Sequence, residues 1–286
     1  MRGAGKCRAA ALLLITFAAA AHAQEAESQA ADDVARELAN PNTALASLTF
    51  KNQFRWFEGD LPGADEQSAY TLLFQPVFPF PRSDGSKIMF RPAVPFLVGQ
   101  PVPASETGQF ESKTGLGDIA FDLAYAFPPK SSLITAAGII SSIPTATGGL
   151  GTKRFTLGPE FLLGVATSKH IALVYPNHQW DIFGSGDADI SLTTLQLAYV
   201  YLPGGGWNVG SGPILTYDWV VEQWTIPLQV NVGKTVPLGG TAWKLSLEVN
   251  YYVEKADAFG PAWMVGFNVT PVLKNYLASF LNDILN

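Results

Sequence analysis

Apolar and polar side chains alternate along most of the chain, and the clearest alternation extends from Ala242 to Glu254. Its apolar set comprises Trp243, Leu245, Leu247, Val249, Tyr251 and Val253. A period of two indicates an extended strand, because successive side chains leave a strand on opposite faces. Soluble strands average about five or six residues, whereas roughly nine to eleven tilted residues cross a bilayer. Aromatic residues near both ends of this face, Trp243 and Tyr251, are typical of the two lipid–water boundaries.

The same alternation recurs and predicts twelve strands between Leu45 and Thr270. Turn-forming residues separate the predicted strands, and short connections alternate with longer ones, which is the pattern of outer-membrane barrels. Proline cannot donate a ladder hydrogen bond, so we interpret the prolines inside strands as bulges or rim positions, with ten or fourteen strands as alternative counts. These prolines are Pro76, Pro92, Pro95, Pro213 and Pro227.

A two-sheet sandwich with its apolar faces turned inward is the alternative all-β architecture. A sandwich needs shorter strands and more charge on its outer face, whereas only 15% of the residues here are charged. A closed barrel pairs every backbone group between strands, as hydrocarbon requires. The predicted fold class is therefore all-β: a closed antiparallel transmembrane β-barrel of about 12 strands, with short helical N- and C-terminal segments.

The first 23 residues have the features of a secretory signal peptide: a basic start, an apolar run and the cleavage site Ala21-His22-Ala23. The apolar run is too short for a membrane-spanning helix. Removal of this segment leaves 263 residues without cysteine, with 15 basic and 24 acidic side chains and a net charge of −9. This composition excludes a disulfide scaffold, and the lack of a polybasic patch argues against nucleic acid as a partner. We predict export to the outer membrane of a Gram-negative bacterium.

The patterns divide the chain into four segments: a signal peptide (1–23), an N-terminal periplasmic or plug segment (24–43), the barrel (44–270) and a C-terminal amphipathic segment (271–286). In the second segment, Asp32–Leu38 predicts a short helix that Asn40-Pro41 stops, and a mobile leader is the alternative. In the last segment, apolar residues recur at helical spacing, which suits a lumen plug, an interfacial helix or a tail packed on the barrel end.

Charged residues fall on the polar face of the predicted strands. A Lys or Arg on the lipid face costs about 2–4 kcal/mol at mid-depth, so we expect these side chains to face the lumen. The predicted lumen-lining residues are Lys51, Arg55, Arg91, Asp118, Asp122, Glu160, Lys244, Glu248 and Glu254, together with Lys87. In the lumen they line a solute path or pair with one another and fill space. Twelve strands predict a narrow or plugged passage.

Catalytic and metal-binding patterns are weak. His170 and His178 remain after cleavage, and neither has the His-x-Ser pairing that outer-membrane phospholipases and deacylases share. His178 beside Gln179-Trp180 is typical of an interface residue rather than a general base. Gly184–Asp189 has oxygen ligands that suit calcium, but a solvated loop is the favoured interpretation of this segment. We predict no catalytic residue, no metal site and no cofactor, and hence no enzyme.

Seven short motifs occur in order along the predicted barrel: Thr114–Ile119, Ile143–Thr145, Leu157–Pro159, Gly205–Trp207, Tyr217–Trp219, Trp224–Pro227 and Val232–Lys234. In these motifs the chain resembles the bacterial outer-membrane proteins labelled "MetA-pathway of phenol degradation", many of which carry the automatic name neuromedin U. The resemblance covers nearly the whole mature chain. It implies a barrel similar to the long-chain fatty-acid transporter class and the uptake of hydrophobic or aromatic compounds. The chain departs from such barrels by continuing past its last strand, where a C-terminal aromatic normally signals to the assembly machinery.

These patterns together predict an outer-membrane β-barrel that acts as a channel or transporter for small hydrophobic or aromatic compounds. Its expected partners are outer-membrane lipid, such a solute and the outer-membrane assembly machinery. Two alternatives belong to other classes. One is an outer-membrane lipid hydrolase, which the missing His-x-Ser disfavours. The other is a non-conducting structural barrel whose lumen charges only fill space.

Overall fold

A computed structural model of the protein describes residues 28–104 and 109–273. Residues 28–39 form a helix, α1, and most of the remaining described residues lie in β-strands. The predicted signal peptide and nearly all of the predicted C-terminal segment lie outside the described residues. Within the described ranges, no helix is both long enough and apolar enough to cross a membrane.

The described chain contains fourteen strand segments. They are β1 (Ala46–Glu58), β2 (Ser68–Pro81), β3 (Lys87–Pro103), β4 (Phe110–Leu116), β5 (Ile119–Ala126), β6 (Leu133–Ile143), β7 (Arg154–Ala166), β8 (His170–Gly184), β9 (Ser191–Gly204), β10 (Trp207–Ser211), β11 (Ile214–Asp218), β12 (Gln223–Leu238), β13 (Thr241–Glu254) and β14 (Gly260–Leu273). A single turn of 3₁₀ helix (Ala64–Glu66) lies in the loop between β1 and β2.

The antiparallel ladder closes on itself, because β1 pairs with β2 on one side and with β14 on the other. Two strands are each interrupted once: β4 and β5 both pair with β3, and β10 and β11 both lie between β9 and β12. The fourteen segments therefore form a closed barrel of twelve antiparallel strands, which confirms the predicted fold class. Closure pairs both edges of every described strand segment except β4, which pairs only with β3. A membrane-spanning sheet requires such pairing.

The two ends of the barrel differ. Both ends of the barrel sequence and the tight turns 82–86, 167–169, 205–206 and 239–240 lie at one end, here called the short-turn end. The two longest described connections, 59–67 and 144–153, lie at the other, here called the loop end. Outer-membrane barrels show the same asymmetry, with short periplasmic turns and longer extracellular loops.

Large apolar side chains cover the outer face. Phe161, Leu228 and Val230 are 56%, 61% and 66% exposed, although they lie in the middle of well-paired strands. Aromatic rings mark both ends of this surface, as the interfacial belts of membrane barrels do. They are Trp56, Trp180, Trp224 and Trp263 toward the loop end, and Phe127, Tyr201, Trp207 and Trp243 toward the short-turn end.

The prolines inside strands leave the strand count intact. Pro227 lies at a register shift in β12, Pro213 lies between β10 and β11, and Pro95 accepts a hydrogen bond from Gly117 beside the break between β4 and β5. For Pro76 and Pro92 the interpretation as bulges or rim positions is wrong. The β2–β3 register is the same on both sides of these two residues and places them opposite each other. Two residues without an N–H group therefore share one gap in the ladder.

Helix α1 lies inside the barrel at the short-turn end. Ala35 is 1% exposed and packs with inward-facing side chains that include Met89, Ala124 and Leu162. The carboxylate of Asp32 accepts a hydrogen bond from the backbone N–H of Gly206 in a short turn. The described part of the predicted N-terminal periplasmic or plug segment therefore lies inside the barrel, against the inner face of its wall.

Candidate functional site in the barrel lumen

A cavity of about 400 Å³ lies in the lumen next to the C-terminal end of α1. This volume is in the range of small-molecule pockets. Its two walls differ in chemistry. The polar wall comes from β1 and β12–β14 and comprises Ser47, Thr49, Lys51, Gln229, Asn231, Lys244, Ser246, Glu248, Asn268 and Thr270. The other wall, here called the apolar wall, carries Leu38, Val77, Leu173, Ala198, Val200 and Ile214, and the polar side chains of Gln75, Arg91, Asp122, Tyr175 and Gln196 also line the cavity.

Two lysines on the polar wall lack a counterion. Within the described ranges, neither Lys51 nor Lys244 has a hydrogen bond or ion pair. Lys51 of β1 lies opposite Asn268 of β14, and Lys244 of β13 lies opposite Thr270 of the same strand. The two lysines therefore flank β14 from either side, one inward-facing position apart. We call Lys51 and Lys244 the lysine pair.

Uncharged polar atoms around the lysine pair also lack partners. Asn268 is 8% exposed, and its Oδ1 has no hydrogen bond to any described residue. Asn208, 2% exposed, has an Nδ2 that is equally unpartnered among them. The carboxylate of Glu248 accepts a hydrogen bond from Gln229 Nε2 at 3.3 Å. Buried polar groups are nearly always hydrogen-bonded, so two unpartnered amide atoms in residues that line one cavity are unusual.

A second group of charges lies across the lumen. Arg91 Nε donates to Asp122 Oδ1 at 2.7 Å, and Arg91 Nη2 lies 3.8 Å from Glu160 Oε1 and donates to the Tyr175 hydroxyl. The Arg91 guanidinium also lies 5.2 Å from the centroid of the Tyr175 ring. We call Arg91, Asp122, Glu160 and Tyr175 the Arg91 cluster. Its charges are largely buried and paired with one another, although Glu160 Oε1 has no hydrogen bond to a described residue.

The segment after α1 is attached to this side of the lumen. Lys87 Nζ donates to the carbonyl oxygen of Asn42 at 3.0 Å, and Asn42 Nδ2 donates to the carbonyl oxygen of Thr135 at 3.1 Å. Arg91 Nη1 reaches the carbonyl oxygen of Pro41 at 3.4 Å. The Arg91 cluster and Lys87 thus link the barrel wall to the residues that follow α1.

The remaining predicted lumen residues do not line the cavity. Glu160 lies behind Arg91, and Arg55 donates to Thr71 at 3.0 Å and to Gln53 at 2.6 Å toward the loop end. Glu254 is exposed where β13 meets its loop. Asp118 lies in the break between β4 and β5.

Asp118 departs from its predicted place because the strand is interrupted there. Its carboxylate accepts hydrogen bonds from Ala146 N at 3.0 Å, Thr152 N at 2.8 Å and Thr152 Oγ1 at 3.1 Å. Asp118 therefore holds the loop 144–153 rather than lining the cavity.

An apolar hollow of about 550 Å³ lies on the outer surface beside the break between β10 and β11. It shares three lining residues, Leu173, Ala198 and Ser211, with the lumen cavity. The wall is therefore thin at this break. The run Gly210-Ser211-Gly212-Pro213 marks this break in the sequence. The alternation pattern alone does not distinguish such a break from a turn between two strands.

His178 lies on the outer face, with its ring centroid 4.1 Å from that of Trp180. Its Nδ1 is 2.7 Å from Thr193 Oγ1, and its Nε2 is 3.5 Å from Ser191 Oγ. Trp219 Nε1 donates to the same Thr193 hydroxyl at 2.8 Å. The structure thus brings Ser191 close to His178, a contact that the sequence spacing does not predict. However, the group that contacts His178 Nδ1 is the Thr193 hydroxyl and not a carboxylate.

No family model matches the chain, and no curated protein matches its sequence. Solved structures show the fold. An outer-membrane channel from Pseudomonas putida F1 aligns with a TM-score of 0.59 over 80% of this chain and 94% of that one, at 14% identity. The NanC porin aligns with a TM-score of 0.51 over 79% and 99%, at 9% identity. The outer-membrane phospholipase A from Escherichia coli aligns with a TM-score of 0.45 over 78% and 89%, at 11% identity. The fold is that of an outer-membrane β-barrel.

Proposed function

We propose that this chain is an outer-membrane channel or transporter for small hydrophobic or aromatic compounds, exported to a Gram-negative outer membrane. The observation that carries this proposal is a lumen cavity with one polar and one apolar wall, inside a barrel whose outer face is apolar. The resemblance to the "MetA-pathway of phenol degradation" proteins supports the same class of solute. Outer-membrane lipid and the barrel-assembly machinery are its other proposed partners.

Helix α1 acts in this proposal as a plug that narrows the passage at the short-turn end. The helix is attached to the barrel by the hydrogen bond from Gly206 to Asp32 and by the packing of Ala35, so it is held less firmly than a barrel strand. Removal of residues 28–40 should therefore raise the single-channel conductance in planar bilayers. An unchanged conductance would show that the plug does not limit the passage.

Solute flux into proteoliposomes tests the function itself. We expect phenol-sized neutral aromatic compounds to enter severalfold faster than into protein-free liposomes. Ala198→Trp should slow this entry, because Ala198 lines the cavity and the indole ring would fill much of it. Val230→Trp is the matched control, since it adds the same bulk on the lipid-facing surface. Equal flux with and without protein would instead favour the non-conducting structural barrel.

The contact between His178 and Ser191 favours a second candidate function, an outer-membrane lipid hydrolase. Its test is fatty-acid release from phospholipid by detergent-solubilised protein, compared with Ser191→Ala and His178→Ala. Release that both substitutions abolish would establish the hydrolase. We expect no release above background, because Nε2 and Oγ are 3.5 Å apart and Nδ1 contacts a threonine hydroxyl rather than a carboxylate.

A further inference from the structure

We propose that the lumen cavity contains a binding site for the carboxylate of a small amphipathic solute, with the lysine pair as its cationic groups. This inference rests on the proposed transport function and narrows its solutes to monocarboxylates with an aromatic or short aliphatic body. Four features of the described residues support it: free charge, local geometry, net charge and an uncovered apolar wall.

The free charge distinguishes the lysine pair from neighbouring inward-facing cations. Arg91 has two carboxylates, Lys87 has a carbonyl oxygen, and Arg55 has two side-chain oxygens as partners. Lys51 and Lys244 have none among the described residues, although both are partly buried. Two neighbouring ammonium groups repel each other, and partial burial raises the cost of leaving them unpaired. An anion in the cavity relieves both effects.

The local geometry supplies further polar contacts for such an anion. Between the lysines, β14 presents Asn268 and Thr270 to the lumen. The Thr270 hydroxyl lies 3.1 Å from that of Thr49, and Asn268 Nδ2 lies 3.5 Å from Ser246 Oγ, at the limit of a hydrogen bond. Hydroxyl and amide donors of this kind complete the coordination of a carboxylate held by ammonium groups.

The net charge of the polar wall favours a single negative charge. It carries the two lysines and one carboxylate, Glu248, whose hydrogen bond goes to Gln229 rather than to a lysine. The sum of +1 matches a monoanion, whereas the second charge of a dianion would be repelled by Glu248 on the same wall.

The apolar wall indicates what the rest of the solute is. Ile214 is 48% exposed although it lines the cavity, whereas Leu173 and Val200, which also line it, are partly covered by packing against the buried core cluster. Apolar surface facing a wet lumen is unfavourable, and an apolar solute body removes it from water. A cavity of about 400 Å³ accommodates one aromatic ring with its carboxylate and some water.

Isothermal titration of the full chain in detergent micelles tests the site with three probes: benzoate, benzyl alcohol and acetate. We expect benzoate to bind roughly tenfold or more tightly than benzyl alcohol, because charge-assisted hydrogen bonds replace neutral ones. We also expect acetate to bind more weakly than benzoate, because it leaves the apolar wall uncovered. Equal affinities for benzoate and benzyl alcohol, or for benzoate and acetate, would overturn the proposal.

Substitutions assign the effect to the lysine pair. Lys51→Gln with Lys244→Gln should abolish the preference for benzoate, and Lys51→Arg with Lys244→Arg should retain most of it. Arg55→Gln is the matched control, since Arg55 faces inward on the same strand as Lys51 but does not line the cavity. A double Gln variant that keeps the preference overturns the proposal. If the double variant does not fold, the single variants Lys51→Gln and Lys244→Gln test the proposal, and each should weaken benzoate binding.

Flux measurements separate this inference from the proposed function. If neutral aromatic compounds cross the barrel but benzoate has no advantage in binding, the carboxylate site is wrong and the channel stands. If benzoate binds through the lysines but no solute crosses, the site stands and the channel is wrong.

Discussion

The Arg91 cluster and the lysine pair both place cations in one lumen, and they use them differently. Arg91 has two carboxylates, a phenol hydroxyl and a backbone carbonyl within reach, whereas the lysine pair has no such partner among the described residues. The cluster therefore pairs its charges within the protein, and the lysine pair leaves charge available to a solute. Inward-facing cations on the strands thus stabilise the fold in the Arg91 cluster and form a candidate binding site in the lysine pair.

The choice of side chain fits each role. The guanidinium of arginine presents several donors in a fixed plane, so one arginine can satisfy several acceptors at once. The ammonium of lysine is a compact charge on a flexible chain and can follow a solute. In the register of β3 and β5, Asp122 lies directly opposite Arg91, whereas Asn268 and Thr270, both uncharged, lie opposite the two lysines.

The largest effect that separates the two regions is expected from Arg91→Met. This substitution leaves Asp122 and Glu160 buried without a counterion, and removing one partner of a buried pair costs about 3–5 kcal/mol. Unfolding by denaturant in detergent micelles measures the loss. Lys244→Met is the matched control and should change the free energy of unfolding by less than about 1 kcal/mol, because it breaks no pair among the described residues. Equal losses would mean that the Arg91 cluster and the lysine pair do not differ in how their charges are paired.

A smaller effect distinguishes the two carboxylates of the cluster. Asp122 makes the 2.7 Å hydrogen bond to Arg91, whereas Glu160 Oε1 lies 3.8 Å from the guanidinium and has no hydrogen bond of its own to a described residue. Asp122→Asn should therefore lower the free energy of unfolding by roughly 1–3 kcal/mol. Glu160→Gln should cost less, because it leaves one carboxylate for one guanidinium. The same unfolding measurement tests this order, and a larger cost for Glu160→Gln would contradict it.

The sequence predicts the face of these residues but not their partners. Alternation places Arg91, Asp122 and Glu160 on the inner face, because a period of two fixes the direction of each side chain. It does not fix the height of one strand against the next, which depends on the stagger of the closed barrel. For the same reason, alternation predicts that Lys51 and Lys244 face the lumen but not that Asn268 and Thr270 of β14 lie opposite them.

The uncharged residues of the site could not be predicted from the sequence for a different reason. Asn268 and Asn208 occupy ordinary polar positions in alternating strands, and nothing in their sequence marks a buried amide with a free atom. Only their position in the lining of the cavity identifies them as site residues. Strand interruptions are a further limit, since the break between β4 and β5 turns Asp118 toward a loop although the alternation continues through it.

Asp118→Ala tests that placement and should have a local effect. The substitution removes three hydrogen bonds to the loop 144–153, so we expect the loop to open at a cost of roughly 1–3 kcal/mol. Limited trypsin cleavage at Lys153 measures the opening. Asp187→Ala, in another loop at the same end, is the control and should leave cleavage unchanged. Benzoate binding should not respond to Asp118→Ala, whereas a lumen-lining Asp118 would alter it.

The smallest effect on the free energy of unfolding is expected at Asp84, a charged residue that has hydrogen-bond partners but lies outside the membrane. In the short turn between β2 and β3, the Asp84 carboxylate accepts hydrogen bonds from the Ser86 hydroxyl at 2.6 Å and the Ser86 backbone N–H at 3.0 Å. The Ser86 hydroxyl above all, and then its N–H, lower the pKa of Asp84. Because the folded pKa is below the unfolded one, the stabilisation is present above the unfolded pKa and is lost as the pH falls through the folded pKa.

Ser86→Ala should therefore raise the pKa of Asp84 toward its ordinary value, as carboxylate chemical shifts in an NMR titration would show. The free energy of unfolding should change far less than for Arg91→Met, because water solvates the exposed Asp84 carboxylate when Ser86 does not. Asp65→Asn, in an exposed loop at the other end, is the control and should leave the Asp84 titration unchanged. A loss as large as that of Arg91→Met would mean that burial is not what makes the Arg91 cluster costly to break.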